Sequence, residues 1–386
     1  MNKRWDIFCH VVDNYGDAGV CWRLARQLAN EFGLSVRLWI DDLVVLQKFR
    51  PDIALHRAQQ SSAGVTVCHW TQPLPQPVDA ADVVIEAFAC QLPDAYLAAM
   101  RRRRPLWINL EYLSAERWVA DCHGLPSPQA DPSQKNAALK KFFFFPGFRS
   151  GTGGVLGERD LPQRRRAFQS AAHARAEFLR RLGVAVPPQA MRVSLFAYHD
   201  APIEQLLRAW VAQSMPVFCF VPEGQPLAAV AKFFGVGLAG ENLPVGAVRQ
   251  TGALTVAVLP FLAQDDYDRL LWSCDLNFVR GEDSFVRAQW AGSPFVWQIY
   301  AQPERAHWPK LDAFLQLYCA DLSPLSATAL RDMWYAWNGD GDIDTAWRAY
   351  AEALPALRTA AENWAARLEA GTNLAAALVQ FCANQV

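Results

Sequence analysis

No CxxC pair occurs among the nine cysteines, which are odd in number and scattered from Cys9 to Cys382. This excludes a disulfide framework and a cysteine zinc site, and points to reduced, mostly buried thiols in a cytosolic protein. Charge of one sign is not in excess either: 37 Lys and Arg stand against 38 Asp and Glu, a formal net charge of −1. Nucleic acid and anionic membranes therefore have no electrostatic claim on the chain, despite the arginine runs 101–104 and 164–166. The first run precedes Pro105 and marks a helix end, where cations suit the dipole.

Long apolar runs are lacking at the start. The run 7–12 follows Lys3 and Arg4 but stops at Asp13, too short for a signal peptide or a membrane span, so a soluble, cytoplasmic protein is expected. The loop after it carries neither GxGxxG nor GxxxxGK[ST], which weakens a dinucleotide or P-loop reading. A calcium loop at Asp340, Asp342 and Asp344 fails for want of Gly at Thr345 and Glu at Ala351.

What is present is apolar surface: 52% hydrophobic residues, 15 Trp and 22 Phe in 386 residues, enough for two cores and too much for disorder. The run 7–12 reads as a strand buried on both faces, followed by a loop of Asp13, Asn14, Tyr15 and Gly16. A helix begins at Asp17, with Val20, Leu24 and Leu28 on one face and Arg23, Arg26 and Gln27 on the other. Further strands at 36–40, 65–68, 83–85 and 106–110 alternate with helical stretches at 44–49 and 95–104, the pattern of a doubly wound α/β domain. Asn109, Glu111 and Tyr112 follow the last of these strands as supporting residues at the ligand edge.

The glycines 151, 153 and 154 and the charged stretch to Arg166 read as a hinge. A second series follows: helix 167–182, strand 192–197, helix 203–213, strands 217–221, 254–259, 276–279 and 295–300, then an Ala-rich helical tail 345–382 interrupted at Pro355 and Gly371. Domains are accordingly expected at 1–152 and 153–365, with a C-terminal helix 366–386 packing back on the first.

Ligands of open α/β sheets bind at the carboxyl ends of the strands. Asp17 and Asp13 are a general-base pair at one such edge, although Asp17 also reads as a helix N-cap and Asp13 as a turn former. In the second series Arg280, Gly281, Glu282, Asp283 and Ser284 turn from strand to helix. A helix end capped by Asp283 or Ser284, with Arg280 before it, suits a phosphate or diphosphate, and Glu282 suits hydroxyls of what the phosphate carries. The alternative is an N-cap and a solvated ion pair. Tyr198 and His199 after one strand, and Phe261 and Gln264 after another, converge on the same edge, where an aromatic can stack on a base.

Residues 13–17 and 19–24, Ser194 to Tyr198, and 280–290 closely resemble the EarP family of bacterial protein-arginine rhamnosyltransferases, and the likeness runs through 107–118 and 143–154 over essentially the whole chain. The resemblance implies a GT-B fold, two Rossmann-like domains facing each other across a cleft. It implies transfer of rhamnose from dTDP-β-L-rhamnose to one arginine of elongation factor P, with inversion and without a metal or other cofactor. On this resemblance Asp17 matches the general base, Asp13 a supporting carboxylate and Glu282 a second essential acid. Asn14, Tyr15, Gly16, Phe196, Tyr198, Phe261, Gln264, Arg280, Gly281, Asp283 and Ser284 match the nucleotide-sugar region. Another GT-B sugar-nucleotide enzyme, an epimerase or small-molecule glycosyltransferase, or a non-catalytic binder of the translation factor, would share the fold.

Overall fold

Near-continuous apolar runs become the inner strands of two sheets in the computed structural model, which describes residues 3–13, 15–74, 77–128, 139–236 and 243–385. The chain divides into a unit of residues 1–159 with 370–386 and a unit of residues 160–369. The first boundary thus lies after Arg159 rather than after residue 152.

In the first unit, β1 (Arg4–Cys9), β2 (Ser35–Ile40), β3 (Gln59–Ser62), β4 (Val65–His69), β5 (Val83–Ala87), β6 (Leu106–Leu110), β7 (Pro126–Pro128) and β8 (Lys140–Phe144) form one sheet of order β3-β4-β2-β1-β5-β6-β8-β7. The β3–β4 and β7–β8 pairs are antiparallel and the remaining ladders parallel. The parallel core follows the order of dinucleotide-binding domains, in which the first strand is central. The polar edge strands β3 and β7 carry no apolar run to announce them, and edge position explains why they need none.

The first strand ends at Cys9, not at residue 12, because the chain peels off its ladder: Asp41 Oδ1 accepts the Val11 N–H at 3.0 Å and its other oxygen bonds His10 Nδ1. Val12 is left 63% exposed. The following helix is Tyr15–Phe32, and its expected polar face is covered rather than solvated. Arg23 and Gln27 are buried; Gln27 donates to the Gly157 carbonyl at 2.8 Å and Arg23 lies 3.5 Å from Glu158. The C-terminal helix Leu374–Asn384 packs on Tyr15–Phe32, and reciprocal bonds between Val155 and the 372–374 backbone (both 3.1 Å) hold it there.

The second unit has β9 (Met191–Leu195), β10 (Val217–Pro222), β11 (Val248–Thr251), β12 (Leu254–Leu259), β13 (Leu276–Arg280) and β14 (Phe295–Gln298), in the order β11-β12-β10-β9-β13-β14. Only the edge pair β11–β12 is antiparallel. The expected helix 167–182 is two helices, Leu161–Ser170 and Ala172–Arg181, separated at Ala171 with extended ψ 93°. Pro355 does not interrupt the helix Ile343–Ala370. It sits on the exposed face of the helix, where the loss of one backbone donor is best tolerated.

The helix Gln264–Ser273 is joined to the helix Asp283–Ala291 by a fork between Arg287 and Asp268, Nε to Oδ1 at 2.9 Å and Nη2 to Oδ2 at 2.6 Å, with both side chains 1% exposed. Removing one partner of such a pair strands a buried charge. Arg287→Met should therefore cost the second unit about 3–5 kcal/mol in chemical denaturation. Asp268→Leu added to it should recover part of that loss; an undiminished stability in the single variant would contradict the assignment.

Candidate functional site

In each sheet the chain reverses its direction of winding at one place, and the loops leaving the strands on either side open a crevice there. In the first unit this lies between β1 and β5, and in the second between β9 and β13. The residues singled out in the sequence fall at the ends of β1, β6, β9, β12 and β13 or on the segments that follow them.

After β1 the chain turns into a helix, and its loop N–H groups need an acceptor. Asp17 supplies it. It stands in the helix's first turn rather than at the cap, and its Oδ2 reaches back to accept the N–H groups of Val12 and Asp13, each at 2.9 Å. This closes the loop with a charge at the positive helix end. Oδ1 accepts the Tyr112 hydroxyl at 3.1 Å, and Asp17 is 2% exposed.

Asp13 makes the expected local turn through its carbonyl, which accepts the Gly16 N–H at 2.7 Å. Its carboxylate folds over Gly16, where a Cβ would meet Oδ2 at 2.7 Å, so any side chain there would push that carboxylate aside. The Tyr15 ring packs edge-on against Phe49, and Asn14 lies outside the described residues. Two thiols border the loop. A hydrogen bond with Cys21 and burial hold the Cys9 thiol well above its ordinary range, and burial pushes Cys90 up as well. Both therefore stay neutral thiols.

In the second unit β13 delivers Arg280 to the turn, and Gly281 takes φ +61°, the left-handed conformation that lets a strand swing at once into a helix. The helix Asp283–Ala291 begins there, with Glu282 at the cap position and making no side-chain cap bond. Ser284 is therefore not the cap. Its hydroxyl accepts the Arg280 N–H at 3.0 Å and donates to the Arg280 carbonyl, clamping the turn.

Arg280 is 5% exposed, not solvated, and its guanidinium lies over the rings of Tyr198 and Phe196, 4.3 and 4.7 Å from their centroids. The rings restrict a long, flexible cation to one orientation. Gln264 opens its helix beside this turn and donates to Asp283 at 3.4 Å. Phe261 is half-buried in the segment between β12 and that helix. Glu282 lies 4.0 Å from Lys310.

Thus Phe196, Tyr198, Gln264, Arg280, Asp283 and Ser284 form one constellation around a helix N-terminus, a geometry suited to a diphosphate. Sequence reasoning missed its brace. Gln298, 4% exposed at the end of β14, accepts the Tyr198 N–H at 2.7 Å and donates to Asp200 at 2.9 Å. A glutamine closing an otherwise apolar strand was the available signal.

The chain matches, over residues 5–383, the family model described as Elongation-Factor P (EF-P) rhamnosyltransferase EarP. It is 53% identical to a protein-arginine rhamnosyltransferase of Pseudomonas putida strain KT2440 over the full length of both chains. It is 52% identical to one of Pseudomonas aeruginosa strain PAO1, over 98% of this chain and 99% of that one. A solved structure described as the structural basis for EarP-mediated arginine glycosylation of translation elongation factor EF-P has a TM-score of 0.70 and 40% identity, covering the whole of both chains. With two Rossmann-like sheets of GT-B type and these full-length likenesses, the chain belongs to the EarP family of protein-arginine rhamnosyltransferases.

Proposed function

We propose that this enzyme transfers rhamnose from dTDP-β-L-rhamnose to one arginine of elongation factor P, with inversion at the anomeric carbon, in the cytoplasm. The observation that carries the reading is the carboxylate of Asp17, fixed at the switch point of the first sheet by two backbone N–H groups and a tyrosine hydroxyl. An arginine acceptor is a cation at any physiological pH and its nitrogens are poor nucleophiles, so it needs a placed anion. Nine free cysteines, all buried or half-buried, support the reducing compartment.

In the displacement, a C–N bond forms as the bond from the anomeric carbon to the diphosphate oxygen breaks, and one guanidinium proton is lost. Asp17 polarises the guanidinium and accepts that proton, with Asp13 beside it. The second unit holds the donor. Its helix end and Arg280 take up charge developing on dTDP, so no metal is invoked. Phe196, Tyr198, Phe261 and Gln264 frame the nucleoside and its phosphates, and Glu282 bonds sugar hydroxyls.

Asp17→Asn is a clean test because the amide can keep the loop: its oxygen accepts from Val12 and Asp13 while its nitrogen donates to Tyr112. Transfer should fall at least about 100-fold with dTDP affinity, measured by calorimetry, unchanged. A parallel loss of affinity would make Asp17 structural. Arg280→Lys keeps the charge but loses the planar fork and the stacking. It should weaken dTDP binding about tenfold; wild-type affinity would remove Arg280 from the diphosphate site.

A further inference from the structure

The loop after β5 is strained. Phe88, Ala89 and Gln91 have φ of +56°, +53° and +58°, three non-glycine residues in the left-handed region that L side chains rarely adopt. The fold holds it by a buried acid. Glu86, 3% exposed, accepts the Gln91 N–H at 3.1 Å with one oxygen, and with the other takes Trp107 Nε1 at 3.1 Å and Lys141 Nζ at 2.8 Å. The Phe88 N–H is anchored to the Leu110 carbonyl at 2.7 Å.

What the strain delivers is one ring. Phe88 lies flat under Tyr112, centroids 4.2 Å apart and planes 10° from parallel. Tyr112 in turn places its hydroxyl on Asp17 Oδ1 and remains 38% exposed.

We propose that Tyr112, held by Phe88, is the positioning residue of Asp17 and the platform on which the acceptor's guanidinium lies. This rests on the reading that Asp17 acts on an arginine. A carboxylate oxygen offers about two acceptor positions. Those of Oδ2 are filled by the Val12 and Asp13 N–H groups, and Tyr112 fills one on Oδ1. Among the described residues no other side chain or N–H is bonded to Oδ1, so a second position there is open to a substrate N–H, and its direction is set by the tyrosine. A guanidinium is flat and weakly hydrated, so it bonds that position with its edge while its face covers the exposed part of the ring. A strained turn that only packed a surface tyrosine would have no return for its cost; one that aims a reacting carboxylate does.

Tyr112→Phe keeps the stack on Phe88 and removes only the hydroxyl, while Tyr112→Leu removes the ring too. With dTDP-rhamnose and the acceptor protein, Tyr112→Phe should lower kcat on the order of 10- to 100-fold with the acceptor KM little changed. Tyr112→Leu should show the same loss and raise the acceptor KM about tenfold. Both should bind dTDP as the parent does, a split that a merely structural role would not produce. Wild-type kcat in Tyr112→Phe overturns the positioning role, and an unchanged KM in Tyr112→Leu overturns the platform. Asp17→Asn run alongside separates the two levels: normal transfer there removes the reading of Asp17 itself, whereas a dead Asp17→Asn with a fully active Tyr112→Phe removes only Tyr112.

Discussion

A carboxylate reaching back from a helix to the two N–H groups of the loop before it sets the shape of the first crevice. Val12 and Asp13 have left the β1 ladder, so their donors need a partner, and Asp17 is that partner at 2.9 Å to each. The loop and the tyrosine hydroxyl are both arranged around this one anion. A group that would be expensive to bury alone is stabilised by the very chain it orders. Its position is thereby fixed by the fold itself.

The second unit meets the opposite requirement with the opposite charge. In the proposed reading a diphosphate meets donors that need no reorganisation, because Gly281 permits the swing from β13 into its helix and the Ser284 hydroxyl clamps it. Arg280 loses its freedom to two aromatic rings before any ligand arrives. The Asp268–Arg287 fork behind it keeps the two site helices in register. Binding therefore costs little side-chain entropy.

Strands buried on both faces were legible because they are apolar without interruption, and so were the two series that they define. The turn at 280–284 and the acid pair at 13 and 17 were legible for a different reason: polar and glycine residues at strand ends stand out against such runs. Polar edge strands such as Gln59–Ser62 were not, since periodicity carries no signal there. Nor was the burial of Arg23 and Gln27, which depends on residues 155–158 and a helix over 300 positions away; local amphipathicity cannot register such a cover. The roles of Gln298 and Phe88 were hidden likewise, one in a hydrogen bond across 100 residues and one in a backbone conformation that no composition announces. Asp17 and Ser284 do stand at the starts of their helices but not as caps, because capping rules are insensitive to a shift of one or two residues.

The account turns on the identity of the transferred group and its acceptor. The most direct measurement is the intact mass of elongation factor P after incubation with this protein and dTDP-β-L-rhamnose, beside a version in which the target arginine is replaced. A gain of one deoxyhexose that requires the arginine is the predicted result. No gain while the donor is consumed, or the same gain without the arginine, would contradict it.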